Sequence, residues 1–422
     1  MSESSYRLLN DLLFGFFALF IFGSTFSIAI AQISAGLSVA LFIIIIILTR
    51  YNPFTSSLRW FYCLVGLYIV WLFFTAAIGP TPWKSMALLR EDWLFVIVPV
   101  GIYLFNFDRY RHKLPAALAA GVLLVSVYGI IQHFTGTHWF KSGELLGAPG
   151  HGYRVEGNFS IAITFGNYFG TASLFLLGYA LSAGKRCLGK KFFFILSSST
   201  LGIMAAMLSY GRGVIIAVIA ALIVMGFMLG RRYLLYAVCF LAMVVAVALF
   251  VSTGLKDRFT TQMDTEIKGE YEGSRIFIWK NSLAVIREHP LFGVGAGNFR
   301  RAYTSHLRPD IPDSRKHAHA HNDLLNVAAV SGIPGAVIFA ALWLATFGYF
   351  WKGRRKTRDD PYAGALFLGA GLGSLVFFLS ALTEATFADE EVRQMLMFIW
   401  AAGLWWWYNS TETDRPAATK RA

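Results

Sequence analysis

The sequence predicts an all-α protein that crosses a membrane about twelve times, and three observations predict it. Hydrophobic residues make up 56% of the 422 residues and charged ones only 14%, with a mean hydropathy of +0.55. A soluble domain of this length cannot hide so much apolar surface. Runs such as "LSVALFIIIIILT" and "YAVCFLAMVVAVALFV" have the length and purity of spanning helices. Finally, alternate connections between the runs are basic, which is how a multi-span chain marks its cytoplasmic side.

The spans fall near residues 9–30, 33–49, 60–79, 92–107, 114–134, 159–183, 192–209, 213–230, 233–253, 323–350, 361–383 and 392–408. The first run lacks a small-residue cleavage site and is followed at once by another, so it reads as a retained span. The basic connections are "RYNPFTSSLR", "DRYRHK", "GKRCLGKK", "GRR" and "WKGRRKTR". They put these loops and both termini in the cytoplasm and account for the net charge of +13 without any nucleic-acid partner. Cys63 and Cys239 fall in apolar runs and Cys187 in a basic loop, so no disulfide on the outer side is expected.

The chain therefore divides into spans one to nine (1–253), a long outward segment (254–322), spans ten to twelve (323–408) and a disordered cytoplasmic tail (409–422). The outward segment contains "SRIFIWKNSLAVIREHPLF", whose helical spacing predicts an amphipathic helix with Ile276, Trp279, Leu283 and Ile286 on its apolar face. Shorter outward connections are 80–91, 135–158, the turn "SYGRG", and 384–391 ("EATFADEE").

Four arginines stand near outward span ends: Arg90, Arg154, Arg212 and Arg275. A snorkelling role explains any one of them. Arg212 nevertheless sits between glycines on the side where arginine is disfavoured, leaving room for a ligand to approach the backbone. Arg90 has ordinary ion-pair partners next to it in Glu91 and Asp92. Several arginines at one membrane face suit a diphosphate, because the guanidinium fork gives bidentate, charge-assisted bonds and never loses its proton.

The segment "HAHAHNDLLNVAAVSGIPG", 317–335, adds histidines. In a helix His317 and His321 would share a face, which suggests a metal, but only Asp313 and Asp323 stand nearby as further ligands, so no metal is assigned. An acid–base role for the histidine nearest the membrane fits better, since imidazole takes up a proton near neutral pH. No nucleotide loop, dinucleotide fingerprint or nucleophile elbow is present, so neither nucleotide nor cofactor is expected. The first outward connection, "AQISAG", carries no acid. That is against the lipid-dependent glycosyltransferases that keep a catalytic aspartate there.

These residues carry a resemblance. "HNDLLNVAAVSGIPG" matches His-(Asn/Ser/Gln)-x9-Gly-x-x-Gly, with His321, Asn322, Gly332 and Gly335 in register. "SYGRGVII" is similar to a Ser-x-x-Arg-Gly turn with Arg212 at the arginine; Ile216 replaces the leucine of the Arg-x3-Leu form. Together with the segment from Ser274 to Phe299, they resemble the O-antigen ligase and polymerase superfamily. The resemblance implies a GT-C-like, inverting, metal-independent glycosyltransferase of the bacterial inner membrane with its active site facing the periplasm. The donor would be O-antigen on undecaprenyl diphosphate and the acceptor a sugar of the lipid A core. His321 would act as base on the acceptor hydroxyl, and Arg212, Arg275, Arg154 and Arg90 would hold the diphosphate. His317 and His319 are not part of the pattern. An O-antigen polymerase and a protein O-oligosaccharyltransferase share the donor. A lipid-linked glycan transporter is the reading from another class, although neither internal symmetry nor mid-bilayer polar residues are visible.

Overall fold

The computed structural model describes residues 2–143, 145–147, 152–235 and 273–410. Among these residues the protein is all-helical, without strands. In chain order the helices are α1 (Glu3–Gly23), α2 (Ile28–Thr49), α3 (Arg59–Ile78), α4 (Pro82–Leu88), α5 (Ile97–Phe105), α6 (Asp108–Arg111), α7 (Lys113–Thr135), α8 (Ala162–Leu188), α9 (Lys191–Met207), α10 (Arg212–Leu229), α11 (Arg275–Glu288), α12 (Phe299–Ser305), α13 (Asp323–Lys356), α14 (Pro361–Ser380) and α15 (Glu390–Asn409). Each expected span coincides with a helix except 233–253, which lies outside the described residues beyond 235. The expected tail also lies outside them beyond 410.

Seven helices are long and apolar enough to cross a membrane by length and composition, fewer than the twelve spans expected, and burial explains much of the difference. Helix α8 is buried along nearly its whole length, with Asn167, Thr171 and Ser173 among its buried residues. It meets protein instead of lipid and has no need to be uniformly apolar. The fourth expected span is broken, its first part being a 3-10 turn, Leu89–Val96, before α5. Helix α15 opens with Glu390, Glu391 and Arg393, so charge lowers its hydropathy.

Helices α8 and α14 form the centre. They approach closely because α14 reads "GALFLGAGLG": a side chain on Gly369 would lie 2.6 Å from the carbonyl oxygen of Phe175. Small residues at such a crossing let backbones pack directly, which lipid-embedded helices use in place of a hydrophobic driving force. The outer helices α2, α3 and α10 keep Ile47, Val70 and Ile216 exposed, as a lipid-facing surface should.

Helix α11 forms where the amphipathic pattern predicts, but with a different face inward. Ile278, Ser282, Val285 and Ile286 are buried, whereas Leu283 is exposed. The inward face packs with Val294, Phe299, Tyr303, Ala328 and Ala329 in a second small core. Spacing alone cannot choose between two apolar faces that share Ile286, and the partner chosen by the fold decides it.

Candidate functional site

Several helix ends meet at one end of the bundle: the first turns of α10, α11 and α13, and the segment 381–384 that follows α14. That segment links them. Ala381 O accepts from the Asp323 amide at 2.8 Å, Leu382 O from Asn322 Nδ2 at 2.9 Å, and Thr383 O from Arg275 Nε at 3.0 Å. A side chain on Gly213 would overlap Thr383 Oγ1, so the turn bearing Arg212 packs against the same residue. The glycine beside Arg212 is there for close packing.

His321 is held by its backbone and by a carboxylate. Its φ is 49°, a left-handed conformation that costs a non-glycine residue on the order of 1–3 kcal/mol and persists only where neighbours enforce it. Asn322 does much of this. Its Oδ1 caps α13 by accepting from Leu325 N at 3.0 Å while its Nδ2 is tethered to Leu382. The Trp279 indole donates to His321 O at 3.4 Å.

The side chain of His321 places Nδ1 2.8 Å from Glu384 Oε2. The other carboxylate oxygen, Oε1, pairs with the Arg275 guanidinium. Burial works to raise the Glu384 carboxyl, but the hydrogen bond from His321 and the Arg275 charge outweigh it and hold the group below the usual carboxylate range. A depressed carboxylate contributes stability above its unfolded pKa, and that contribution is lost as pH falls through the folded value. An ionised Glu384 accepts Nδ1–H, which leaves Nε2 as the lone-pair nitrogen. Nε2 lies 3.3 Å from His317 Nδ1. His319 meets His321 edge to face, with ring centroids 4.1 Å apart. Burial, then the neighbouring His321, pull its pKa down to about 4, so it is neutral at physiological pH.

Residues 316–322 are not helical, so His317 and His321 meet through a turn and not across a helical face. Asp313 pairs with Lys316 at 2.6 Å, and Asp323 Oδ2 accepts from Phe387 N at 2.9 Å. Among the described residues no group of three or more His, Cys, Asp or Glu is gathered as a metal-holding set.

The arginines divide. Arg275 is in the cluster. Arg212 is the exposed first residue of α10, after Gly211 and Tyr210, the latter at φ 56°. Arg154 Nε donates to Ser209 O at 3.0 Å, docking the 135–158 connection onto that turn. Arg90 is exposed, and the carboxylates expected to pair with it go elsewhere. Glu91 and Asp92 bind Arg393 of α15 at 3.2 and 3.0 Å.

Gly332 breaks α13, with φ 77° inside the helix. The loop after α11 seals the break. Val294 N donates to Ala329 O, Gly295 N to Val330 O, each at 2.9 Å, and Ile333 N donates to Pro290 O at 2.8 Å. The Trp71 indole takes Ser331 O at 2.8 Å. The helix is bent at Gly332 but not loosened, because the groups freed by the break are partnered as a buried backbone requires. A Cβ at Gly332 would overlap Leu291 O, while one at Gly335 meets chiefly the movable Ser331 side chain. Gly332→Ala is therefore expected to lower stability by about 1–3 kcal/mol, and Gly335→Ala by less. Thermal unfolding of both variants in detergent checks this, and equal midpoints would refute the sealing role.

Residues 197–340, which carry Arg212, Arg275 and His321, match the family model described as O-antigen ligase. The chain is similar to the O-antigen ligase family over this segment, about a third of its length. A comparison with curated proteins found no match. The matched segment contains Arg212, Arg275, His321, Asn322, Gly332 and Gly335, and the apolar helices make the protein a multi-pass membrane protein. The general kinds of partner that the family implies are a lipid-linked polysaccharide donor and a lipid A-core acceptor.

Glu384 lies outside the matched segment. Sequence reading missed it because it is one acid of four in "EATFADEE". Its only signal was position: it follows a span end on the face that bears His321.

Proposed function

We propose that the protein joins O-antigen polysaccharide from undecaprenyl diphosphate to a sugar of the lipid A core, at a site on the periplasmic face of the inner membrane. In this reading both termini are cytoplasmic, and the 254–322 segment is periplasmic and supplies part of the site. The observation that carries the reading is the Glu384–His321 pair with Arg275 on the same carboxylate.

The chemistry follows from that arrangement. The outer compartment offers no nucleotide, so the donor must carry its own leaving group, and a lipid diphosphate does. The acceptor hydroxyl oxygen attacks the anomeric carbon from the face opposite the diphosphate. The C–O bond to phosphate breaks, the electron pair leaves with the lipid diphosphate, and the hydroxyl proton passes to His321 Nε2. Glu384 keeps Nδ1–H pointed at itself and steadies the imidazolium as it forms, the role that a carboxylate plays behind histidine in other bases. The hydroxyl would take the place of His317 Nδ1 in front of Nε2.

Arg212 and Arg275 would neutralise the departing diphosphate, with Arg154 and Arg90 as outer contacts. The N-terminal ends of α10, α11 and α13 add positive dipole there. Gly211 caps α10 without a side chain, which favours an anion at its first turn.

Deletion of the gene tests ligase against polymerase. A ligase deletion should leave lipid A core with no O-antigen. Lipopolysaccharide retaining a single repeat unit would instead indicate a polymerase and overturn the reading.

A further inference from the structure

At the opposite end of α13 from His321 lies a cavity of about 560 Å³, within the range of small-ligand sites. It opens between the ends of α8, α10, α13 and α14, and Arg354, Arg355 and Arg358 line it. Basic loops mark this side of a membrane protein in general, so arginine alone says little. The charge balance here is what differs. On the same face Arg109 is paired with Asp11 and Arg111 with Asp108. Among the described residues none of the three cavity arginines has a carboxylate in ion-pair distance. Arg354 donates to Ser182 Oγ at 3.0 Å and to Gly364 O at 2.7 Å, both neutral. The one acid lining the cavity, Asp360, accepts from Tyr362 N and Ala363 N at 3.1 and 3.0 Å as the cap of α14.

The lip of the cavity is apolar. Phe227 is 71% exposed and Trp351 51% exposed, and both line it. Three uncompensated cations beneath two lipid-facing rings fit a phosphate that carries hydrocarbon chains. We propose that this cavity binds the phosphate of an anionic membrane phospholipid, with Arg355 and Arg358 as its contacts, Arg354 as the fixed floor, and the acyl chains leaving past Phe227 and Trp351. Basic pockets between spanning helices at this depth are suited to such headgroups.

Full-length protein in detergent, incubated with cardiolipin, phosphatidylglycerol or phosphatidylethanolamine of matched chains, is read by native mass spectrometry. Wild type should retain the two anionic lipids over phosphatidylethanolamine. Arg355→Ala/Arg358→Ala should weaken that retention about thirtyfold, and Arg358→Gln alone about fivefold, which serves if the double variant does not stay monodisperse. Arg231→Ala/Arg232→Ala, which removes equal charge from another loop, should keep it. Equal retention by the cavity variants, or equal loss in the control, overturns the site. Displacement of the lipid by millimolar inorganic phosphate would overturn the lipid as occupant in favour of a free anion.

Discussion

Replacing His321 by Ala is expected to abolish glycan transfer while leaving binding of the undecaprenyl-diphosphate donor nearly intact. The proposed base acts on the acceptor, and the Arg275–Glu384 pair stays in place without it. A general base contributes about 10²–10⁴-fold in rate, so a trace of activity would survive. Arg212→Ala and Arg275→Ala should behave differently and weaken donor binding as well as turnover. Each removes a fixed positive group from the departing diphosphate, worth on the order of 3 kcal/mol in the transition state. Lysine at either position should rescue poorly, since an ammonium cannot form the two-pronged contact. Donor-analogue affinity and transfer rate, measured for all three variants in the same lipid, decide it. His321→Ala with wild-type turnover, or with donor binding as poor as that of the arginine variants, would overturn the division of labour.

Much of this architecture was legible because lipid is a demanding solvent. Runs such as Ile28–Thr49 and Arg212–Leu229 must be long and apolar to cross it, and both helices lie where hydropathy put them. Less legible was whatever depends on which helix meets which. Glu91 and Asp92 stand next to Arg90 in sequence but bind Arg393, because α15 packs there. Leu283 satisfies an amphipathic pattern and still faces outward. In the candidate site, His321 and Arg212 were visible as polar residues at span ends, Arg212 between two glycines. Their meeting point was not, since Glu384 is separated from His321 by 63 residues and only the packing of α14 on its neighbours joins them. Gly332 breaks α13. That the loop at 290–295 would fill the break depended on a contact that no local pattern encodes.

Glu384 is the residue on which the structural account of the base can fail. Glu384→Gln keeps the shape of the side chain and one carbonyl acceptor for Nδ1–H, yet removes the charge that steadies the imidazolium. Turnover should drop by about 10²–10⁴-fold, comparable to the loss of the base itself. Donor affinity should hold or rise, because Arg275 no longer shares its guanidinium with a carboxylate and is free to engage phosphate. That split between rate and affinity separates a positioning role from general damage to the fold, which would lower both. Glu384→Asp, still charged but one methylene shorter, should recover part of the rate. If Glu384 acts through His321, the double variant His321→Ala/Glu384→Gln should be no slower than His321→Ala alone, since groups that work as a unit are lost only once. Losses that multiply would mean that Glu384 acts independently of the histidine, and a Glu384→Gln enzyme at wild-type rate would remove the pair from the mechanism.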